Sequence, residues 1–192
     1  MSDAIATPRT ITVGGLAGTG TSTLSQLLAS RLGLPYEYAG GIFRAEAARR
    51  EISLEAFNAL CESDPAVDRS LDDRQLELLR GGGLLLEGRM AGWLARRHAL
   101  GNVRTVWVTC GDQERFRRLS QRDGGHVEAA MGRTLAREAS EADRFLRYHG
   151  ADLSDLSGYD VLLDSTAATP DQLADAVLDA LAKGGPSAQT AR

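Results

Sequence analysis

Residues 11–23 read Ile-Thr-Val-Gly-Gly-Leu-Ala-Gly-Thr-Gly-Thr-Ser-Thr. A short β-branched run leads into a glycine-rich loop and then into a helix start. The spacing fits G-x-x-x-x-G-K-[ST], with Gly15, Gly20 and Ser22 in register and Thr21 at the lysine position. Glycines let the backbone curl around an anion, so its N–H groups and the helix N-terminus face phosphate with partial positive charge. The hydroxyl of Ser22 is the expected Mg²⁺ ligand. Glycine-rich turns without a ligand are common, but a match of this length on the first strand favours phosphate binding. Lys183 is the only lysine in the chain. Cationic help for a phosphate must therefore come from arginine or from a metal.

A chain of 192 residues suits one α/β domain with a proper core. The formal net charge of −4 argues against non-specific nucleic-acid binding, which needs a basic face. No apolar run approaches the ~20 residues of a membrane span, and the first nine residues lack a leader's apolar core. A cytoplasmic location is expected, with no membrane and no nucleic-acid partner. Cys61 and Cys110 are isolated and read as reduced thiols. His98, His126 and His149 lie far apart, form no metal motif, and read as surface histidines.

Hydrophobic periodicity alternates strands with helices between residues 10 and 183; tails 1–9 and 184–192 read as disordered. Strands are predicted at Ile11–Val13, Pro35–Tyr38, Leu84–Leu86, Val103–Cys110 and Tyr159–Leu163. Helices are predicted at Ser22–Leu32, Pro170–Ala182 and across 112–149, with a break at Gly124-Gly125. Two or three more fill 41–80, where Pro65 suits the first turn of a new helix. This pattern implies a five-stranded parallel sheet covered on both faces, with a site at the C-terminal strand edges. Glu87 ends a buried apolar strand at that edge, where an acid can orient Mg²⁺ or its waters.

Both helical stretches are rich in arginine. Arg137, Glu141 and Arg144 follow i, i+4, i+7 and share one helical stripe. Planar guanidinium groups suit phosphoryl oxygens bidentately. Five further motifs stand apart from the loop: Ala-Gly-Gly-Ile-Phe-Arg at 39–44, Asp-Pro-Ala-Val-Asp-Arg-Ser-Leu-Asp-Asp-Arg-Gln at 64–75, Leu-Glu-Gly-Arg-Met-Ala-Gly-Trp at 86–93, Arg-Glu-Ala-Ser-Glu-Ala-Asp-Arg-Phe at 137–145, and Asp-Leu-Ser-Gly-Tyr-Asp at 155–160. With these motifs the chain resembles, from Ile11 to Ala182, the cytidylate kinases, and in particular their archaeal-type branch.

The resemblance implies a P-loop NTPase fold of the adenylate-kinase-like type. It implies ATP as co-substrate, Mg²⁺ as cofactor, and CMP or dCMP as acceptor. At matching positions, Gly15, Leu16, Ala17, Gly18, Thr19, Gly20, Thr21, Ser22 and Thr23 cradle the ATP phosphates. Ser22 and Glu87 serve the metal. Arg44 and Arg89 hold the acceptor phosphate, Arg69 approaches the cytosine, and Glu141 takes the position of the lid acid. Arg137 and Arg144, with Arg89, act on the transferring phosphoryl group. Residues 41–80 become the monophosphate-binding insertion and about 120–150 the lid, within a single domain expected to be monomeric.

Three positions depart from the wider family. Thr21 replaces the loop lysine, although the archaeal-type branch often carries threonine there. Ala39 replaces a serine at the acceptor site. Met90 replaces an acid that reads the base. Asp68, Asp72 and Asp73 are then candidates for the cytosine amino group, and spacing does not choose among them. Two rival readings keep the loop: a kinase for UMP, AMP or a small metabolite, and a nucleotide-binding module without turnover.

Overall fold

The computed structural model describes residues 10–183; both expected disordered tails lie outside the described residues. The elements in chain order are β1 (Thr10–Gly15), α1 (Thr21–Leu32), β2 (Tyr36–Tyr38), α2 (Ala39–Arg49), α3 (Leu54–Ser63), α4 (Pro65–Gly81), β3 (Leu84–Glu87), α5 (Arg89–Arg97), β4 (Val103–Thr109), α6 (Asp112–Asp123), α7 (Val127–His149), β5 (Val161–Asp164) and α8 (Pro170–Ala182). The strands form one parallel sheet in the order β2-β3-β1-β4-β5. The first strand is therefore the middle of the sheet, and all six of its residues are buried.

Strand side chains alternate between faces, and the core divides accordingly. Ile11, Val13, Leu85, Val106, Val108, Val161 and Leu163 pack with Leu24 and Leu28 of α1 and Leu173 and Val177 of α8. Leu84, Leu86 and Val103 point the other way, onto Leu79 of α4, Met90, Ala91 and Leu94 of α5, and Phe145 of α7. The insertion 39–81 has its own small core of Ala47, Phe57, Cys61 and Val67. Local signals set the element ends. Ser53 and Asp64 accept N–H groups in the first turns of α3 and α4, and Pro65 opens α4. Thr169 and Gln172 close a capping box on α8. Gly124 and Gly125, both at positive φ, separate α6 from α7 as expected.

The last strand starts two residues later than predicted. The Asp160 carboxylate accepts from the Thr105 N–H at 2.7 Å and from its hydroxyl at 3.0 Å, so a side chain does the pairing there. Tyr159 instead packs beside Trp107, with ring centroids 5.4 Å apart, and under the Arg96 guanidinium at 4.8 Å. Cys61 and Cys110 are both free, as expected; burial pushes the Cys61 thiol up to about 11.

Gly92 of α5 meets that same ring: a Cβ there would lie 2.5 Å from Tyr159 Cε1. Replacing a helical glycine by alanine gains up to ~1 kcal/mol of propensity, whereas overpacking a tight core costs roughly 1–3 kcal/mol. Gly92→Ala should therefore be net destabilising, lowering the thermal midpoint by roughly 2–6 °C in a calorimetric scan.

Candidate active site

The phosphate loop leaves the sheet at Gly15, where no side chain fits. A Cβ would lie 2.6 Å from the Val108 carbonyl oxygen and 2.7 Å from Thr19 Oγ1. Gly18 and Gly20 then take left-handed φ values of 84° and 87°, which glycine adopts at little cost. The buried Thr19 hydroxyl donates to Leu16 O at 2.8 Å and closes the loop on itself. From below, the Ser165 hydroxyl donates to Thr19 O at 2.7 Å. Arg118 in turn donates to Ser165 Oγ at 3.1 Å and Ser165 O at 2.7 Å. The sequence carried no signal for Ser165, which follows β5 and has no motif.

Two loop N–H groups are already engaged; that of Thr19 donates to Leu16 O at 3.3 Å. Ala17 donates to Glu138 Oε1 of α7 at 3.1 Å. Buried Arg115 clasps both groups, donating to Glu138 Oε1 at 2.8 Å and to Ala17 O at 3.0 Å. Neither Glu138 nor Arg115 was singled out from the sequence.

Glu87 collects hydroxyl groups. Its Oε1 accepts from Thr21 at 2.9 Å and from Ser22 at 2.7 Å, and its Oε2 accepts from Tyr36. Burial, and then the Glu87 carboxylate, push the Tyr36 phenol upward, which keeps it a donor. Thr21 at the lysine position thus orients the acid at the end of β3. Ser22 and Glu87 are hard oxygen ligands suited to Mg²⁺. The donor set fits the ion that the sequence predicts.

A cavity of about 760 Å³ runs from this loop to the helices of the insertion and to α7. Gly15–Gly18, Gly20–Thr23 and Glu87 line one end; Arg44, Arg89, Arg137, Glu141 and Arg144 line the remainder. Arg89 pairs with Glu141, and Arg137 Nε lies 3.7 Å from the other oxygen of that carboxylate. Arg44 donates to the Tyr38 hydroxyl at 2.7 Å. Arg144 is buried, its Nε 3.1 Å from Asp68 Oδ1. The structure thus gathers the predicted arginines into one space, with one exception. Arg69 is exposed and does not line the cavity, because its neighbour Asp68 takes the inward direction on α4.

His149 also departs from expectation. It is not a surface histidine: its side chain is 9% exposed, with Nε2 3.3 Å from Asp68 Oδ2 and 3.1 Å from Asp72 Oδ2. Hydrogen bonding to Asp68 raises its pKa above the usual value. Burial pushes the Asp72 carboxyl up to about 7, against the pull of His149. The three ligand atoms lie within 4.8 Å of one another, close enough for a metal. The guanidinium of Arg144 already supplies the cation at Asp68. His98 and His126 are exposed, as predicted.

A parallel five-stranded sheet, a phosphate loop on its central strand, and a hydroxyl–carboxylate pair beside that loop define a P-loop kinase. A family profile described as "AAA domain" matches residues 11–157. The chain is 38% identical over 156 residues to a cytidylate kinase of Methanococcus vannielii, covering 81% of this chain and 90% of that one. It is 38% identical over 161 residues to a cytidylate kinase of Pyrococcus horikoshii, covering 84% and 82%. A shikimate kinase of Bacteroides thetaiotaomicron shares the fold, with TM-score 0.55 at 15% identity over 91% of this chain and 94% of that one. The chain belongs to the cytidylate kinase family.

The Asp72–His149 pair makes stability depend on pH. A carboxyl held near 7 in the fold but near ~3.9 when unfolded keeps a proton that unfolding releases. Stability is then lost as pH rises from about 4 to about 7. His149, raised above 6.5, adds a loss of the same sign as pH climbs through its folded value. Urea midpoints should fall between about pH 5 and about pH 7.5 in the wild type, and fall less in Asp72→Asn.

Proposed function

We propose that this protein transfers the γ-phosphoryl group of ATP to CMP or dCMP, with Mg²⁺, giving ADP and the pyrimidine diphosphate. The observation that carries the reading is the single cavity that joins the phosphate loop, the Ser22–Glu87 pair and six arginines, Arg44, Arg89, Arg137 and Arg144 among them. The relatives named as cytidylate kinases supply the acceptor.

Phosphoryl transfer asks for little covalent chemistry from a protein; positioning and charge do the work. The loop N–H groups within Gly15–Thr23 that have no protein partner hold the ATP phosphates as charge-assisted hydrogen bonds, each worth roughly 1.5–3 kcal/mol. Ser22 and Glu87 would hold Mg²⁺, which would supply positive charge to the phosphates when bound. Arg44 and Arg89 bind the acceptor phosphate. Arg137 and Arg144 bring positive charge to the phosphoryl group in flight. Glu141, between Arg89 and Arg137, keeps the two guanidinium groups apart. The stretch 41–80 binds the monophosphate, and α7 with its preceding loop closes as a lid that excludes water. Among the described residues no helix is long and apolar enough to cross a membrane. The free cysteines fit a cytoplasmic enzyme that handles small nucleotides, and we propose that it does so as a monomer.

Thr21 decides between a working loop and a damaged one. Its hydroxyl holds Glu87, which supports the adapted reading over a binding module without turnover. Thr21→Lys should therefore leave kcat unchanged or lower it. Strong rescue from a near-inactive wild type would instead mark the loop as damaged. A coupled ADP-release assay across the ribo- and deoxyribonucleoside monophosphates tests the acceptor. CMP and dCMP should be the best substrates and AMP and GMP poor ones; a highest kcat/KM for AMP would refute the reading.

Arg137 is the cleaner probe of the lid. Arg144→Ala would take one of its two cationic partners from the buried Asp68 carboxyl, which costs stability and confuses the kinetics. Arg137 is exposed, so Arg137→Ala should keep the fold. Its kcat should fall by on the order of 10²–10⁴, with little change in the KM for CMP. Arg44→Ala should instead raise that KM.

A further inference from the structure

Helix α7 is tied to both ends of the cavity, and one side chain makes the tie to the phosphate loop. On the acceptor side, Ser140 Oγ donates to Glu62 Oε1 of α3 at 3.1 Å and the Tyr148 hydroxyl donates to Glu62 O at 2.6 Å. Arg144 and His149 rest on Asp68 of α4. On the ATP side, Glu138 is the one α7 side chain among the described residues that hydrogen-bonds to the loop.

The hold takes both polar groups of Ala17. Glu138 Oε1 accepts from the Ala17 N–H at 3.1 Å, while Arg115 Nη1 donates to Ala17 O at 3.0 Å and to Glu138 Oε1 at 2.8 Å. The three bonds close a ring. Asp112 Oδ1 accepts from Arg115 Nη2 at 3.1 Å and fixes the guanidinium from behind. The Arg115 side chain is 3% exposed and that of Glu138 10%, so the ring is shielded from water. The Ala17 methyl packs beside Phe116, Leu119 and Ala130, between α6 and α7. A buried ion pair adds little net stability over an apolar pair of the same volume. Its use here lies in the geometry it defines.

That geometry reaches the arginines. A helix rises about 1.5 Å per residue. Arg137 adjoins Glu138, and Arg144 lies two turns on, about 9 Å along the axis. Glu141, which pairs with Arg89 and Arg137, lies between them. The grip on Ala17 therefore fixes where this stripe stands relative to the loop.

We propose that Glu138 is a positioning residue for phosphoryl transfer: by holding Ala17 together with Arg115, it sets the distance between the α7 arginines and phosphates on the loop. The proposal rests on the kinase reading above. Misplacing a catalytic group by about 1 Å costs on the order of 10²-fold in rate. It also lets water compete for the phosphoryl group. Attack by water gives ADP, inorganic phosphate and a proton; attack by the CMP phosphate oxygen gives ADP and CDP.

Two conservative variants separate position from charge. Glu138→Gln keeps an acceptor oxygen at the same reach and removes the charge. Glu138→Asp keeps the charge and shortens the arm by one methylene. Arg115 retains Asp112 and Ala17 O in either variant, so both should fold. The measurements are kcat, the KM for CMP, the ratio of CDP formed to ADP released, and hydrogen exchange at the Ala17 amide. Glu138→Asp should lose roughly 10- to 100-fold in kcat with the KM for CMP changed less than about 2-fold. Its CDP-to-ADP ratio should fall below that of the wild type, and its Ala17 amide should exchange faster. Glu138→Gln should stay within about 5-fold in kcat and keep the wild-type ratio and protection. A loss of stability alone would not change the ratio. Glu138→Asp equal to wild type overturns the proposal, as does Glu138→Gln as impaired as Glu138→Asp, or a wild-type Ala17 amide that exchanges freely. A wild type that makes no CDP from CMP overturns the acceptor reading instead, and the same two variants on the monophosphate that is accepted then decide the role of Glu138. No transfer to any monophosphate overturns both.

Discussion

The contact between Gly15 and the Val108 carbonyl leaves no room for a side chain, and the active-site end of the sheet is arranged around that closeness. β1 lies between β3 and β4, so its last residues press against both neighbours before the chain turns out. The loop is then held from three sides. Thr19 closes it on itself, Ser165 holds it from the end of β5 with Arg118 of α6 holding Ser165 in turn, and Arg115 with Glu138 fixes it from the helices beyond. A backbone held this firmly presents its N–H groups in a set direction, so little reorganisation is left for the moment of binding.

Charge at the site is held in reserve. Arg89 rests on Glu141, Arg115 on Glu138 and Arg144 on Asp68. These three ion pairs are largely shielded from water, where a stranded partner is costly. Six arginines and four carboxylates line the cavity, which leaves it a modest positive excess. At Arg89 and Arg144 an incoming phosphate exchanges one anionic partner for another, whereas Arg44 rests on the neutral Tyr38 hydroxyl. Reserve of this kind suits a chain whose total charge is negative.

Much of this was legible in the sequence because it is local. The loop, the strands, the glycine break before α7 and the capped starts of α4 and α8 each depend on a few adjacent residues. The arginine stripe on α7 follows from helical period alone. What escaped was non-local or directional. Ala17 and Glu138 are 121 residues apart, and Asp68 and His149 are 81 apart; no periodicity links them. Arg69 falls outside the cavity lining for a directional reason. A helix turns about 100° per residue, so the i, i+4 pair Asp68 and Asp72 faces inward while residue 69 faces water. Asp160 shortened the last strand because a carboxylate can replace a ladder bond, which no strand propensity records.

Helix α8 leaves the loop edge of the sheet after β5 and runs back along α1 for 13 residues, a length of about 20 Å. Its end carries Lys183, exposed and at the opposite pole from the phosphate loop. As the only side-chain amine in the chain, it gives acylating reagents a single address on a side chain, remote from the chemistry. A fluorophore or surface tether attached there leaves the cavity open. Conversely, amine-directed nucleotide labels that mark many phosphate loops through their lysine find nothing to react with in this one.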